Sequence, residues 1–146
     1  MAEKIQTKPH PWKGESALLL QQALAFIRSE EVSAQALSRA RYHQKWAGKE
    51  DPFYLRQFGG INLGDQIVLR FSPADTMFKR RCSLSISARG LTEEAVQEAL
   101  AGALAKHGFV QEDDADGHAL WSNGVQSVDI SIFFKSERAS ISIRQA

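Results

Sequence analysis

The chain has 146 residues with 18 Lys and Arg against 17 Asp and Glu, a net charge of +1, and a single cysteine. Charged residues make up 24%, and Leu, Ile, Val and Phe together about a quarter, the composition of a soluble folded domain rather than a disordered or collagenous chain. One cysteine excludes an intrachain disulfide framework, and no apolar run approaches the ~20 residues of a membrane span.

The net charge conceals an imbalance. Residues 1–90 carry 14 Lys and Arg against 8 Asp and Glu, while residues 91–146 carry 4 against 9. Such a split can mark a face for an anionic partner, although cations spread over ninety positions also describe an ordinary solvated surface.

Residues 1–14 lack periodicity and read as a mobile N-terminal tail, with Trp12 as a docking aromatic. Lysines, an apolar stretch and Ala34-Gln35-Ala36 imitate a signal peptide, but Gln21, Gln22, Arg28, Glu30 and Glu31 interrupt the pattern. Glu15–Arg28 reads as a helix apolar on more than one face, which needs cover on most sides. A second helix is expected from Ser33 to about residue 47, with Ser33 as its cap and Gly48 as its close. The two form a helical hairpin over 15–48. Its apolar excess is a motive for a homo-oligomer.

Residues 48–65, punctuated by Pro52, Gly59, Gly60 and Gly64, read as a connection. Ile67, Leu69 and Phe71 alternate with Val68 and Arg70, and Cys82, Leu84, Ile86 and Ala88 alternate with Ser83, Ser85 and Ser87. Both segments are half-buried strands. Thr92–His107 is a helix capped by Thr92, with Glu93 and Glu94 at its positive end. Four strands follow, near 109–112, 118–122, 125–135 and 138–144, with a two-residue turn expected at Asn123-Gly124. The expected fold is α+β: a helical hairpin, then ββ-α-ββββ, with helix 92–107 over one face of a mostly antiparallel sheet in residues 66–146. The last four strands form a meander, and the hairpin lies beside helix 92–107 or against a second chain. No internal repeat is read. The other sheet face is flat and polar, built on Ser83, Ser85, Ser87, Ser127, Asp129, Ser131, Ser140, Ser142 and Arg144.

No catalytic, cofactor or metal site emerges. Cys82 alternates with apolar neighbours, as a core thiol does. His10, His43, His107 and His118 lack metal-ligand spacing, and Glu112–Gly117 imitates a calcium loop without its closing Glu. Two contact elements remain. Met77, Phe78, Lys79, Arg80 and Arg81 join apolar and basic residues in a long loop, a plausible partner-binding element. Arg39, Arg41, Lys45 and Arg56, interleaved with aromatics, are candidates for nucleic-acid contacts. The resulting expectation is a cytoplasmic, non-catalytic protein-binding module: an adaptor, inhibitor or immunity-type protein. Nucleic-acid binding through the basic first half stands second and a small enzyme third. Neither a membrane nor a cofactor is expected.

Overall fold

Two side-chain caps set the starts of a short helix and of a long one. The Ser33 hydroxyl accepts from Ala36 N at 3.1 Å, and Thr92 Oγ1 accepts from Ala95 N at 3.2 Å, each satisfying an N–H that a helix start leaves unpaired. In the computed structural model, which describes residues 12–46, 52–58, 65–73, 80–115 and 118–146, three helices and eight strands follow in order. They are α1 (Trp12–Ile27), α2 (Ala34–Arg39), β1 (His43–Trp46), β2 (Pro52–Gln57), β3 (Gln66–Ser72), β4 (Arg81–Ser87), α3 (Glu93–Lys106), β5 (Val110–Ala115), β6 (His118–Ser122), β7 (Ser127–Lys135) and β8 (Arg138–Gln145). The fold is α+β, as expected.

The strands form one antiparallel sheet in the order β1-β2-β3-β4-β8-β7-β6-β5. From either edge the chain runs as a meander of four strands toward the centre, where β4 meets β8. Each meander is preceded by a long helix, α1 or α3. The chain is therefore two α-ββββ halves, joined about a pseudo-dyad between β4 and β8.

That topology exposes a repeat that the sequence reading does not find. Arg81-Cys82-Ser83-Leu84-Ser85-Ile86 and Arg138-Ala139-Ser140-Ile141-Ser142-Ile143 occupy equivalent strands. Ile67 and Phe71 of β3 correspond in the same way to Ile130 and Phe134 of β7. The loop between β3 and β4 and the tight turn between β7 and β8 differ in length, which hides the correspondence in the linear sequence.

Strand period two sends Ile67, Leu69, Cys82, Leu84, Ile86, Ala139, Ile141, Ile143, Val128 and Ile130 to one face, where all are buried. Helix α1 lies on this face over β3, β4 and β8, and alongside α3. Leu19, Leu20, Ala23, Leu24 and Ile27 of α1 are buried, and the buried Gln22 Oε1 accepts from Ser33 N at 2.7 Å. The apolar surplus of this helix is thus covered within one chain, which removes the motive it gave for a homo-oligomer. Trp12 is not part of a tail. It opens α1, is fully buried, and donates Nε1–H to Val96 O at 3.2 Å, fixing α1 against α3.

Three local expectations are corrected. The second helix ends at Arg39 rather than near 47, because Arg41 adopts φ 70° and Tyr42 N bonds back to Leu37 O at 2.9 Å; the positive φ terminates the helical path. The expected helical hairpin is therefore one long helix followed by a six-residue one. Residues 43–46 and 52–57, read as helix end and connection, are strands β1 and β2. The Asn123-Gly124 hairpin is wider than two residues: Asn123 Oδ1 accepts from Val125 N at 2.9 Å and Gln126 N at 2.7 Å before β7 begins.

Replacing Trp12 tests the helix–helix joint. Trp12→Ala should cost about 3–5 kcal/mol and Trp12→Phe roughly half of that, since Phe refills most of the volume but donates no hydrogen bond. Urea denaturation with equal effects for the two variants, or none, would contradict this placement.

Candidate interaction surface

The same alternation that builds the core builds its opposite. Outward positions on β4 read Arg81, Ser83, Ser85 and Ser87; opposite them on β8 stand Arg144, Ser142, Ser140 and Arg138. On β7 follow Asp129, Ser131, Phe133 and Lys135, and on β6 His118 and Leu120. On the other side of β4 come Arg70 and Val68 of β3, Phe53 and Leu55 of β2, and His43 and Lys45 of β1. Helices α1, α2 and α3 all lie on the other face, and no described element crosses this one.

The middle of the face is a block of short side chains. Ser83 pairs with Ser142, Ser85 with Ser140, and Ser131 with Ser142. The block floors a shallow depression that Phe133 and His118 border. Phe133 is 67% exposed, an unusual position for a large aromatic ring on a polar face. Cations stand at both ends of the block. Arg81 is opposite Arg144 at one end, and Arg138 is opposite Lys135 at the other. At ~3.3 Å per residue, Arg81 and Ser87 lie ~20 Å apart along β4. Asp129 is an acidic residue of this face, and Asp113 of β5 holds the register position opposite the outward Leu120. Asp129 Oδ2 accepts from Arg144 Nη2 at 3.3 Å, and Asp129 Oδ1 is 3.4 Å from His118 Nδ1.

The expected contact residues separate. Met77, Phe78 and Lys79 lie outside the described residues. Arg80 is turned toward α1: its Nε donates to Phe26 O at 2.6 Å, and its guanidinium stacks 4.0 Å from the Phe26 ring centroid. Arg81, the next residue, points outward on β4. Arg39, Arg41 and Lys45 do not share one helical face, since they belong to α2, the following turn and β1. Arg56 faces the helices. It pairs with Glu15, donates to Ala40 O at 3.0 Å and stacks 4.3 Å from the Phe58 ring centroid. Arg41, Lys45 and Arg56 nevertheless line one depression with His43, Leu55 and Phe58. Sequence reasoning missed Phe133, Lys135 and Arg138; the recurrence of Arg-x-Ser-x-Ser was the signal that could have found Arg138.

Two buried groups are held out of chemistry. Burial raises the Cys82 thiol well above its ordinary range, so the reactive thiolate is suppressed. Burial, and then the neighbouring Glu15 carboxylate, raise the Tyr42 phenol; its O–H donates to Glu15 Oε1 at 3.2 Å. The described residues contain no group of three or more His, Cys, Asp or Glu able to hold a metal ion. A cleft of about 250 Å³ between α3 and β5–β7 is lined by Glu93, Gln97, Leu100, Trp121 and Ile132, with His118 at its edge. No described helix is long and apolar enough to cross a membrane. No protein-family model, curated protein or solved structure matches the chain.

The Tyr42 environment gives a pH dependence of known sign. The folded phenol holds its proton where the unfolded one loses it, so stability is intact below the ordinary tyrosine value of about 10 and falls above it, by up to about 1.4 kcal/mol per pH unit. Tyr42→Phe should flatten this loss in alkaline urea titrations. An unchanged slope would contradict the assignment. Cys82 should react with a thiol reagent only as fast as the fold opens, and rapid labelling of the native chain would show the core placement to be wrong.

Proposed function

We propose that the chain is a non-catalytic protein-binding module of the cytosol, an adaptor, inhibitor or immunity-type protein, and that it holds its partner on the outward face of the sheet. The observation that carries this reading is the composition of that face. An antiparallel sheet can leave one side in water, but such a side has no need of an exposed Phe133, half-buried Leu55 and Val68, and arginines on β3, β4 and β8. Arginine and aromatic residues beside small polar ones are what protein interfaces concentrate. Eight strands at ~4.8 Å spacing and ~20 Å length give roughly 750 Å², close to the ~800 Å² that each partner contributes to a stable complex. A lone buried thiol supports a reducing compartment.

Nucleic-acid binding through the basic first half is the second reading. Exposed Arg39, Arg41 and Lys45 favour it, while Arg56 is committed to Glu15 and Ala40. It requires an affinity that falls steeply with salt.

Bulk on the serine block tests the first reading. Ser85→Trp with Ser140→Trp should leave the fold intact, because both positions are exposed and tryptophan suits a strand. Gentle purification of the tagged chain from its own host, with quantitative mass spectrometry, should then show about a tenfold loss of a stoichiometric partner. Glu98→Trp, on the exposed side of α3, should retain it. A partner indifferent to the sheet variant and lost with the helix variant would overturn the reading.

A further inference from the structure

We infer that the cleft between α3 and β5–β7 is a binding site for a guanidinium group, the group that Arg56 supplies to the equivalent place in the other half of the chain. The site lies on the helix side of the sheet and goes beyond the contact proposed on the outward face.

Three observations lead to it. The first is the pseudo-dyad. It relates Ile67 of β3 to Ile130 of β7, and strand pairing carries the correspondence one strand outward. Arg56 stands opposite Ile67 and Ala119 opposite Ile130, so Ala119 holds the place of Arg56. Further along, Phe58 N bonds to Asp65 O, two residues before Ile67, and Trp121 pairs with Val128, two residues before Ile130. Trp121 therefore holds the place of Phe58. In the first half the arginine fills its own site. Its guanidinium stacks 4.3 Å from the Phe58 ring centroid, pairs with Glu15 and donates to Ala40 O at 3.0 Å. In the second half the aromatic ring is kept and enlarged, but alanine stands where the arginine would be. The cleft of about 250 Å³ opens beside that alanine and that ring.

The second is the lining. Glu93, Gln97 and Gln111 border the cleft together with Trp121. A carboxylate and amide oxygens accept from the N–H groups of a guanidinium. The indole face is the best aromatic surface for a cation, and a planar guanidinium also stacks on it. Glu93 thus offers from α3 what Glu15 gives from α1. His118, at the edge of the cleft, is 3.4 Å from Asp129 on the outward side. Sites for drug-sized ligands run to ~300–1,000 Å³; this smaller volume suits one side chain or a small molecule.

The third is charge. The two elements that flank the cleft, α3 and β5, carry Glu93, Glu94, Glu98, Glu112, Asp113 and Asp114 against Lys106 alone. Asp114 holds the register position opposite Ala119. The whole chain has a net charge of +1, so this acidic excess is local, and it favours a cation over an anionic or neutral occupant.

The test is an amide and indole chemical-shift titration of the full chain. The probes are propylguanidinium, the peptide acetyl-Gly-Arg-Gly-amide, and the same peptide with citrulline, whose urea is a neutral isostere of the guanidinium. The two charged probes should move the Trp121 indole N–H and the amides around Ala119 and Glu93. The citrulline peptide should bind at least about tenfold more weakly. An arginine peptide that binds more tightly than propylguanidinium assigns the site to an arginine of a polypeptide; equal or weaker binding assigns it to a free guanidinium compound. Ala119→Arg should supply the side chain in cis and abolish the response. Glu93→Gln, at an exposed position, should weaken both charged probes about fivefold or more, and it decides the matter if Ala119→Arg fails to fold. Ser85→Trp with Ser140→Trp should bind the charged probes as the native chain does, which separates this site from the outward face. Equal binding of the arginine and citrulline peptides, full affinity in Glu93→Gln, or loss of binding in the serine variant would overturn the inference. So would the absence of any shift up to about 10 mM probe.

Discussion

The ladder between β4 and β8 is the constraint on which the rest of the structure depends. It joins the two α-ββββ halves, and its register sets both faces at once. Inward, Cys82, Leu84 and Ile86 meet Ile143, Ile141 and Ala139, and α1 closes over them. Outward, the same seven-residue pairing lines up arginines and serines. A slip of one residue would exchange the two sets, placing arginines under α1 and isoleucines in water. The large burial penalty of an unpaired charge makes the observed register strongly preferred.

Stability is concentrated on one face, and the partner contact proposed above is assigned to the other. The helix side is held by apolar burial and by a few long-range hydrogen bonds, among them Trp12 to Val96 and Tyr42 to Glu15. The two residues with chemically interesting side chains, Cys82 and Tyr42, are spent on this side and kept protonated by burial. The outward side contributes little to the core and is free to be selected for contact. Arg144, for example, is held on this side by Asp129 and not by the core.

Much of this was legible in the sequence, for a physical reason. Strands β3, β4, β7 and β8 have one face in the core, so the burial requirement is written in their alternation, and Thr92 and Ser33 announce their helices by capping chemistry. The edge strand β1 has four exposed residues, His43–Trp46, and its pairing comes from β2 rather than from its own pattern. Such a segment carries no period to read. The helix expected through Tyr42 and Trp46 failed for a related reason. An i, i+4 aromatic spacing fits a helix, but Arg41 in the left-handed region breaks the path, leaving Tyr42 inside and Trp46 60% exposed. The serine face was legible as a face. The repeat that organises it is written only as the short Arg-x-Ser-x-Ser recurrence, and its meaning, the equivalence of β4 and β8, follows from strand order, which no single segment encodes.

Site-specific photo-crosslinking addresses the central claim most directly. A benzophenone amino acid would be placed in turn at Ser83, in the exposed block, and at Glu98, on the exposed side of α3, and the chain irradiated in its host cells. The account predicts that Ser83 yields a discrete crosslinked protein and Glu98 does not. Crosslinks from Glu98 alone would contradict it and move the contact surface to the helices.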